Sequence, residues 1–213
     1  MEIIAHRGLW DKTDDQNTLD SFRAALSHGF GIETDLRDFN GEIVISHDIP
    51  SKAYLSMEDF IHEYVLITEK YEYRPNLALN IKSDGLQDEV KNILTSHNIS
   101  NYFLFDMSVP DTLGFIESSL KLFTRRSEYE DENKLIDKAD GVWLDQFHGT
   151  WFNFSLINDY LNEGKKVCVV SPELHRREFK EFWSELRENI SSGHENIMIC
   201  TDYPIEAERF FNE

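Results

Sequence analysis

Cysteine is scarce in this chain: 213 residues contain two, Cys168 and Cys200. Two cysteines cannot build a disulfide framework, and their spacing matches no zinc or redox motif. Each sits in an apolar run, KKVCVVS and NIMICTD, which predicts buried thiols on strands and, with them, a reducing, cytoplasmic compartment. Positive charge is also in short supply. There are 21 Lys and Arg against 40 Asp and Glu, a formal charge of −19. A surface this negative repels nucleic acid and anionic lipid headgroups, so nucleic acid is not an expected partner. The ordinary reading of such acidity is a solvated face. A phosphate-bearing substrate must then meet cations concentrated at one place. No apolar run approaches the roughly 20 residues that span a bilayer, so no integral membrane segment is expected. The opening MEIIAHRGLW lacks a basic stretch followed by an apolar one, and no signal peptide is expected.

What is present suits a globular domain: 40% hydrophobic and 29% charged residues. Short β-type runs alternate with segments of helical period. The runs are 2–6, 31–36, 77–82, 102–106, 120–124, 141–145, 166–171 and 197–201. A further run, 42–46, follows the turn Asn40-Gly41 and reads as a hairpin excursion. Helices are predicted over 18–28, 56–66, 86–97, 110–118, 131–138, 152–163, 176–190 and 203–211. Gly29 is a good stop for the first, and Ser56 before Met57-Glu58-Asp59 reads as a capping box. Alternation of this kind implies parallel strands with helical crossovers. Eight such units suggest a closed (β/α)8 TIM barrel, an α/β fold, although a doubly wound open sheet has the same local pattern. With no linker or repeat, one domain over 1–213 is expected.

Polar residues gather where predicted strands end. His6, Arg7 and Gly8 follow the first. Glu33 and Asp35 are two apart on the second and share a face. His47 and Asp48 close the hairpin, and Asn80 and Lys82 share a face at the end of the third. In a barrel, strand C-termini build the active site. Two carboxylates on a buried parallel strand are costly unless a cation neutralises them. Oxygen ligands favour Mg²⁺, Ca²⁺ or Mn²⁺ over Zn²⁺. The bland readings stand beside these. His6 alone could be a core histidine, and Lys82 could pair structurally with Glu33 or Asp35. Trp143 and Trp151 suit core packing or a substrate wall, and Glu173 and His175 suit a loop turn or the site. His28, His62, His97 and His194 fall on or beside helices and read as surface. Glu178, Glu181, Glu185 and Glu188 read as a solvated helix face.

The ordered set IAHRG (4–8), QNTLDSFRAAL (16–26), IETDLR (32–37), ISHD (45–48) and ICTDYP (199–204) resembles the glycerophosphodiester phosphodiesterase family. That family opens with His-Arg-Gly, Glu-Asn-Thr, a helix, Glu-x-Asp and His-Asp, and ends near Thr-Asp-x-Pro. The first quarter matches strongly and the last strand modestly. The resemblance implies a (β/α)8 barrel of the phosphodiesterase type. It also implies hydrolysis of a small-molecule or polymer phosphodiester with one divalent cation. By position, His6 and His47 match the acid–base histidines, Glu33 and Asp35 match two metal ligands, Arg7 the phosphate-facing arginine and Lys82 the lysine of Glu-x-Lys. Two positions depart from the pattern. Gln16 stands where the family has Glu, and Asn80 where it has its third metal-binding Glu. Asn80 is the expected third ligand, with Glu173 or Asp145 as carboxylates that could replace it. The segment 49–76 is short for the family's inserted subdomain. Three functions follow: a glycerophosphodiesterase-like hydrolase, a phospholipase C-type enzyme acting on another lipid or glycan phosphodiester, or a binding module weakened in catalysis by Asn80.

Overall fold

A computed structural model of the chain describes residues 1–51, 54–72, 74–130, 134–190 and 195–213. These fall into two compact units, Ala5–Leu122 and Met1–Ile4 with Phe123–Glu213. They are called here the N-terminal and C-terminal units.

The N-terminal unit holds the end of β1 (Glu2–His6), then α1 (Leu19–Ser27), β2 (Gly31–Phe39) and β3 (Glu42–Ile45). It continues through α2 (Met57–Thr68), β4 (Leu77–Ile81), α3 (Gln87–Ser96), β5 (Tyr102–Phe105) and α4 (Val109–Glu117). Strands β2, β4 and β5 are parallel, in register at Asp35↔Asn80 and Ala78↔Phe103. Both faces of such strands are covered, so they are apolar nearly throughout, and every residue of β4 is buried. α1 starts where Thr18 and Ser21 exchange side-chain and backbone bonds in a capping box, and it buries Phe22, Ala25 and Leu26. Ser56 caps α2 by accepting from Asp59 N. The expected reciprocal arm differs: the Ser56 hydroxyl donates to the Asp59 carboxylate. β2 outruns its predicted end at 36 because β3 pairs with it antiparallel from Leu36↔Ile45 to Phe39↔Glu42. Asn40 (φ 53°) and Gly41 (φ 86°) supply the two left-handed residues that a tight hairpin turn needs.

The C-terminal unit holds β6 (Phe123–Arg126), β7 (Gly141–Leu144), α5 (Ser155–Asn162), β8 (Lys166–Val170), α6 (Lys180–Asn189), β9 (Ile197–Thr201) and α7 (Pro204–Asn212). β6 to β9 form a parallel run in sequence order. Cys168 and Cys200 are buried on β8 and β9, and Trp143 is buried on β7. Glu181, Glu185 and Glu188 on α6 are exposed, as is Glu178, which precedes the helix. Three expectations need correction. β6 was placed at 120–124 because the apolar alternation ends there, but pairing with β7 carries Arg125 and Arg126 into the strand, opposite Trp143 and Leu144. The helix expected over 176–190 starts at Lys180, because Pro172–His175 forms a 3-10 turn closed by left-handed Arg176 (φ 59°). Of the helix expected over 131–138, the described part contains only the 3-10 turn Ile136–Lys138. Residues 131–133 and His194 lie outside the described residues.

Candidate active site

Six of the seven residues singled out for chemistry lie on or next to β1, β2 and β4, and His47 follows β3. After His6 the chain turns sharply. Arg7 is left-handed (φ 58°) and Gly8 has φ 90°. A Cβ on Gly8 would stand 2.8 Å from the Ser21 backbone, so only glycine lets α1 approach. Arg7 N donates to Glu33 O (2.9 Å), which ties this turn to β2. The Arg7 guanidinium reaches Asp35 Oδ2 at 3.2 Å through Nε and Gln16 Oε1 at 3.3 Å through Nη1. Gln16, the departure from the family's Glu, therefore still bonds Arg7.

Asp35 is completely buried and is met from three sides. Asn17 Nδ2 donates to its Oδ2 (2.9 Å), Arg7 approaches the same oxygen, and Lys82 Nζ lies 3.5 Å from Oδ1. Asn17 itself is left-handed (φ 57°) and its Oδ1 accepts from the Thr34 hydroxyl at 2.8 Å. Sequence reasoning did not single out Asn17. Its signal is a left-handed asparagine in the Gln-Asn-Thr run just before a helix cap. The His6 ring is 16% exposed, with Nε2 3.8 Å from Glu33 Oε2. His47 is half-exposed, and its Nδ1 donates to Asp48 Oδ1 at 2.8 Å. That bond holds the Asp48 carboxyl below its usual range. Ser46 N donates to Asp35 O (3.0 Å), so the hairpin bearing His47 is fastened to the strand bearing the carboxylates.

Glu33 Oε2, Asp35 Oδ1 and Asn80 Oδ1 are each buried and accept no hydrogen bond. Buried oxygens are rarely left so, because each forfeits its hydration. Desolvation drives the Glu33 carboxyl up to about 7, the Asp35 charge pushes the same way, and His6, Arg7 and Lys82 pull against it. Two carboxylate oxygens and an amide oxygen form a hard donor set that suits a divalent cation of the Mg²⁺ or Ca²⁺ kind. Among the described residues no three His, Cys, Asp or Glu side chains gather as a ready metal group.

Polar groups at the strand ends of the C-terminal unit are hydrogen-bonded to one another and to the backbone. Glu173 accepts from the Ser171 and Thr201 hydroxyls and from Asp202 N at 3.2 Å. Burial nevertheless raises its pKa. Asp145 accepts from Gln146 N (2.8 Å) and from His175 Nε2 (2.6 Å). Arg125 pairs with Glu130 at 2.5 Å, and Glu128 receives Phe147 N and His148 N. Trp151 is half-buried, donates to Asp145 O (2.7 Å) and stacks under Arg126.

No family model matches the chain, and no curated protein matches it. Solved structures do. A candidate glycerophosphodiester phosphodiesterase from Galdieria sulphuraria aligns with TM-score 0.74 at 19% identity, over 100% of this chain and 98% of its own. A phosphodiesterase from Oleispira antarctica, in complex with the product sn-glycerol-3-phosphate, aligns with TM-score 0.68 at 15% identity, over 100% and 97%. A Ca²⁺-dependent phosphatidylinositol-specific phospholipase C from Streptomyces antibioticus aligns with TM-score 0.59 at 9% identity, over 99% and 96%. Likeness at these identities shows the fold. It is the (β/α)8 barrel of the phosphodiesterase type that the sequence led us to expect. No helix among the described residues is long and apolar enough to cross a membrane.

Proposed function

We propose that this chain is a metal-dependent phosphodiester hydrolase, a divergent relative of the glycerophosphodiester phosphodiesterases, working at the β1, β2 and β4 ends. The observation that carries this reading is the trio of buried, unbonded oxygens on Glu33, Asp35 and Asn80, set beside Arg7 and Lys82. Those three residues would hold one divalent cation. When bound, it supplies charge withdrawal from a phosphoryl oxygen. Arg7 and Lys82, already adjoining Asp35, supply fixed positive charge for a phosphate in an otherwise acidic chain. His6 and His47 are the acid–base pair, one taking a proton from the attacking hydroxyl and the other protonating the leaving oxygen. The bond to Asp48 requires the proton on His47 Nδ1, because a carboxylate only accepts, and leaves Nε2 for that exchange. Cys168 and Cys200, buried on adjacent strands, suit a reducing cytoplasmic setting.

Asn80 bears on how the cation is held. An amide oxygen ligates a hard cation without adding charge. Glu33, Asp35 and Asn80 therefore leave a site near neutrality, which repels an anionic phosphate less than three carboxylates would. The engaged oxygens of Glu173 and Asp145 favour Asn80 over either as the third ligand. The likeness to a phospholipase C supports a second reading, in which the substrate is another lipid or glycan phosphodiester. Both are tested by hydrolysis of a panel of glycerol-, inositol- and glycan-linked phosphodiesters with and without EDTA. EDTA-sensitive turnover is expected, and the preferred member of the panel names the leaving group. A chain that binds metal and phosphodiester but turns over none of them is a binding module, and the hydrolytic reading then fails.

A further inference from the structure

We propose that α4 is the surface through which two copies of this chain pair, with their α4 helices antiparallel about a two-fold axis. The surface lies wholly within the N-terminal unit. It stands apart from the hydrolytic reading, which uses none of its residues.

A helix covering a sheet ordinarily turns its polar side to water. α3 and α6 do so, and none of their exposed residues is apolar. α4 does not. It buries Thr112 and Phe115 and leaves Val109, Pro110 and Leu113 in water, Val109 at 69% and Leu113 at 44% exposure, with Ile116 half-buried beside them. Val109, Leu113 and Ile116 follow the spacing i, i+4, i+7 and therefore form one stripe. The only charge between Ser108 and Ile116 is Asp111. It is buried, and it accepts from Gly85 N at 3.0 Å and from the Gln87 side-chain amide. The stripe is thus free of charge in a chain that carries −19. A contiguous apolar surface of this kind marks a contact with something else.

The charges at its two ends say what that contact is. At the start of α4 the Ser108 hydroxyl donates to Asp84 Oδ1 (3.0 Å), which sets a carboxylate beside the helix N-terminus. At the other end Lys91 Nζ, reaching over from α3, donates to Ser118 O (2.9 Å), which sets a cation beside the last turn. A surface with opposite charges at its two ends fits a reversed copy of itself. A two-fold rotation that lays α4 antiparallel on its equivalent keeps the α3 flanks of both copies on one side. It therefore brings each Lys91 to Asp84 of the second copy. Leu113 falls near the axis, and Val109 falls opposite Ile116 of the second copy. Glu117 then faces the N-terminus of the other helix, where unpaired N–H groups favour an anion. A parallel pairing would instead set two N-termini side by side. A lipid surface of zero net charge would cover the stripe as well, but it offers Asp84 and Lys91 no fixed partners. Pairing of this isologous kind closes at two copies. With nine residues, α4 is only about 14 Å long. That is too short to bury the roughly 800 Å² per partner of a standard stable interface, so the dimer is transient.

The test is sedimentation equilibrium of the full chain from about 1 µM to 1 mM. A concentration-dependent monomer–dimer equilibrium is expected. Leu113→Asp sets two carboxylates together at the axis and should raise the dimer Kd by at least about tenfold, with the melting temperature unchanged because the side chain is exposed. Lys91→Glu and Asp84→Lys should each weaken pairing alone. An equimolar mixture of these two variants should pair again, because unlike copies recover both Lys–acid contacts. Should Leu113→Asp fold poorly, the mixture decides. Flotation with phosphatidylcholine vesicles covers the lipid alternative. A chain that stays monomeric throughout, one that assembles beyond two copies, a folded Leu113→Asp that pairs like wild type, or a mixture no tighter than its components would each overturn the proposal. Vesicle binding without self-association would do the same.

Discussion

The carboxylates buried on β2, Glu33 and Asp35, and those buried just after β7 and β8, Asp145 and Glu173, are treated in opposite ways. In the C-terminal unit, Glu173 is wrapped by two hydroxyls and a backbone N–H, and Asp145 by a backbone N–H and an imidazole. In the N-terminal unit, Glu33 and Asp35 each retain an oxygen that accepts no hydrogen bond, although Lys82 Nζ stands 3.5 Å from that of Asp35 and Arg7 pairs with its other oxygen. Buried charge that is hydrogen-bonded is structural bookkeeping. Buried charge that is left open invites a cation. The contrast teaches that counting acids in a sequence is less informative than asking which of their oxygens the fold has already used.

The hardest test of the comparison is turnover. His6→Ala and His47→Ala should each lower kcat by about 10²–10⁴-fold while the protein remains folded, as loss of an acid–base group does. Near-normal kcat in either, on a substrate found by the panel, removes that histidine from the mechanism.

Next in size is the effect of pH on the metal-free chain. Glu33 is raised from the ordinary 4.5 to about 7 by burial first and by Asp35 second. Between those values the folded state holds a proton that the unfolded state has released. The Glu33 contribution is therefore full below about 4.5, falls as pH rises and is gone above about 7. The loss is on the order of 3 kcal/mol. Glu33→Gln should remove that slope from urea-unfolding free energies measured in EDTA from pH 4.5 to 8. An unchanged slope would show that Glu33 is not strained in the empty site.

Of similar size is the response to metal. Mg²⁺ or Ca²⁺ at a hundredfold excess over Kd should stabilise the fold by about 2.7 kcal/mol, read as a rise in Tm relative to EDTA. Glu33→Gln and Asp35→Asn should abolish the rise, whereas Asp145→Asn and Glu173→Gln should leave it intact. Asn80→Glu sharpens the comparison further. If the Asn80 oxygen is a ligand, calorimetry should report tighter metal binding. An unchanged Kd demotes Asn80 to a packing residue.

The smallest effect is expected at Glu173. The amide of Glu173→Gln can still accept from one hydroxyl and donate to the other, and it carries no charge that burial penalises. Stability near pH 7 should move by roughly 1 kcal/mol or less. A loss several times larger would mean that the charge itself holds the β8 and β9 ends together.

Much of this was legible beforehand because it is local. Apolar runs of five or six residues separated by helical periods announce parallel strands, and the Asn40-Gly41 turn, the Gly29 stop and the cap at Ser56 act over a few residues. The period-2 geometry of a strand was enough to put Glu33 and Asp35 on one face. β6 starts three residues and ends two residues later than expected because hydropathy cannot see which partner a strand will pair with, and its ladder is set by β7.

The order of His6-Arg7-Gly8, Glu33-x-Asp35, His47-Asp48 and Lys82 along the chain carried the resemblance to the glycerophosphodiester phosphodiesterases that nominated these residues. Which oxygens are left unbonded was not readable. Asn17 claims Asp35 Oδ2 from 18 residues away, Glu173 is consumed by Thr201 from 28 residues away, and His175 is seized by Asp145 across 30. Hydrogen bonds between side chains so distant in sequence depend on how neighbouring strands and loops pack in three dimensions. Only the tertiary structure could separate the carboxylates whose oxygens the fold has engaged from those that keep an oxygen without a hydrogen bond.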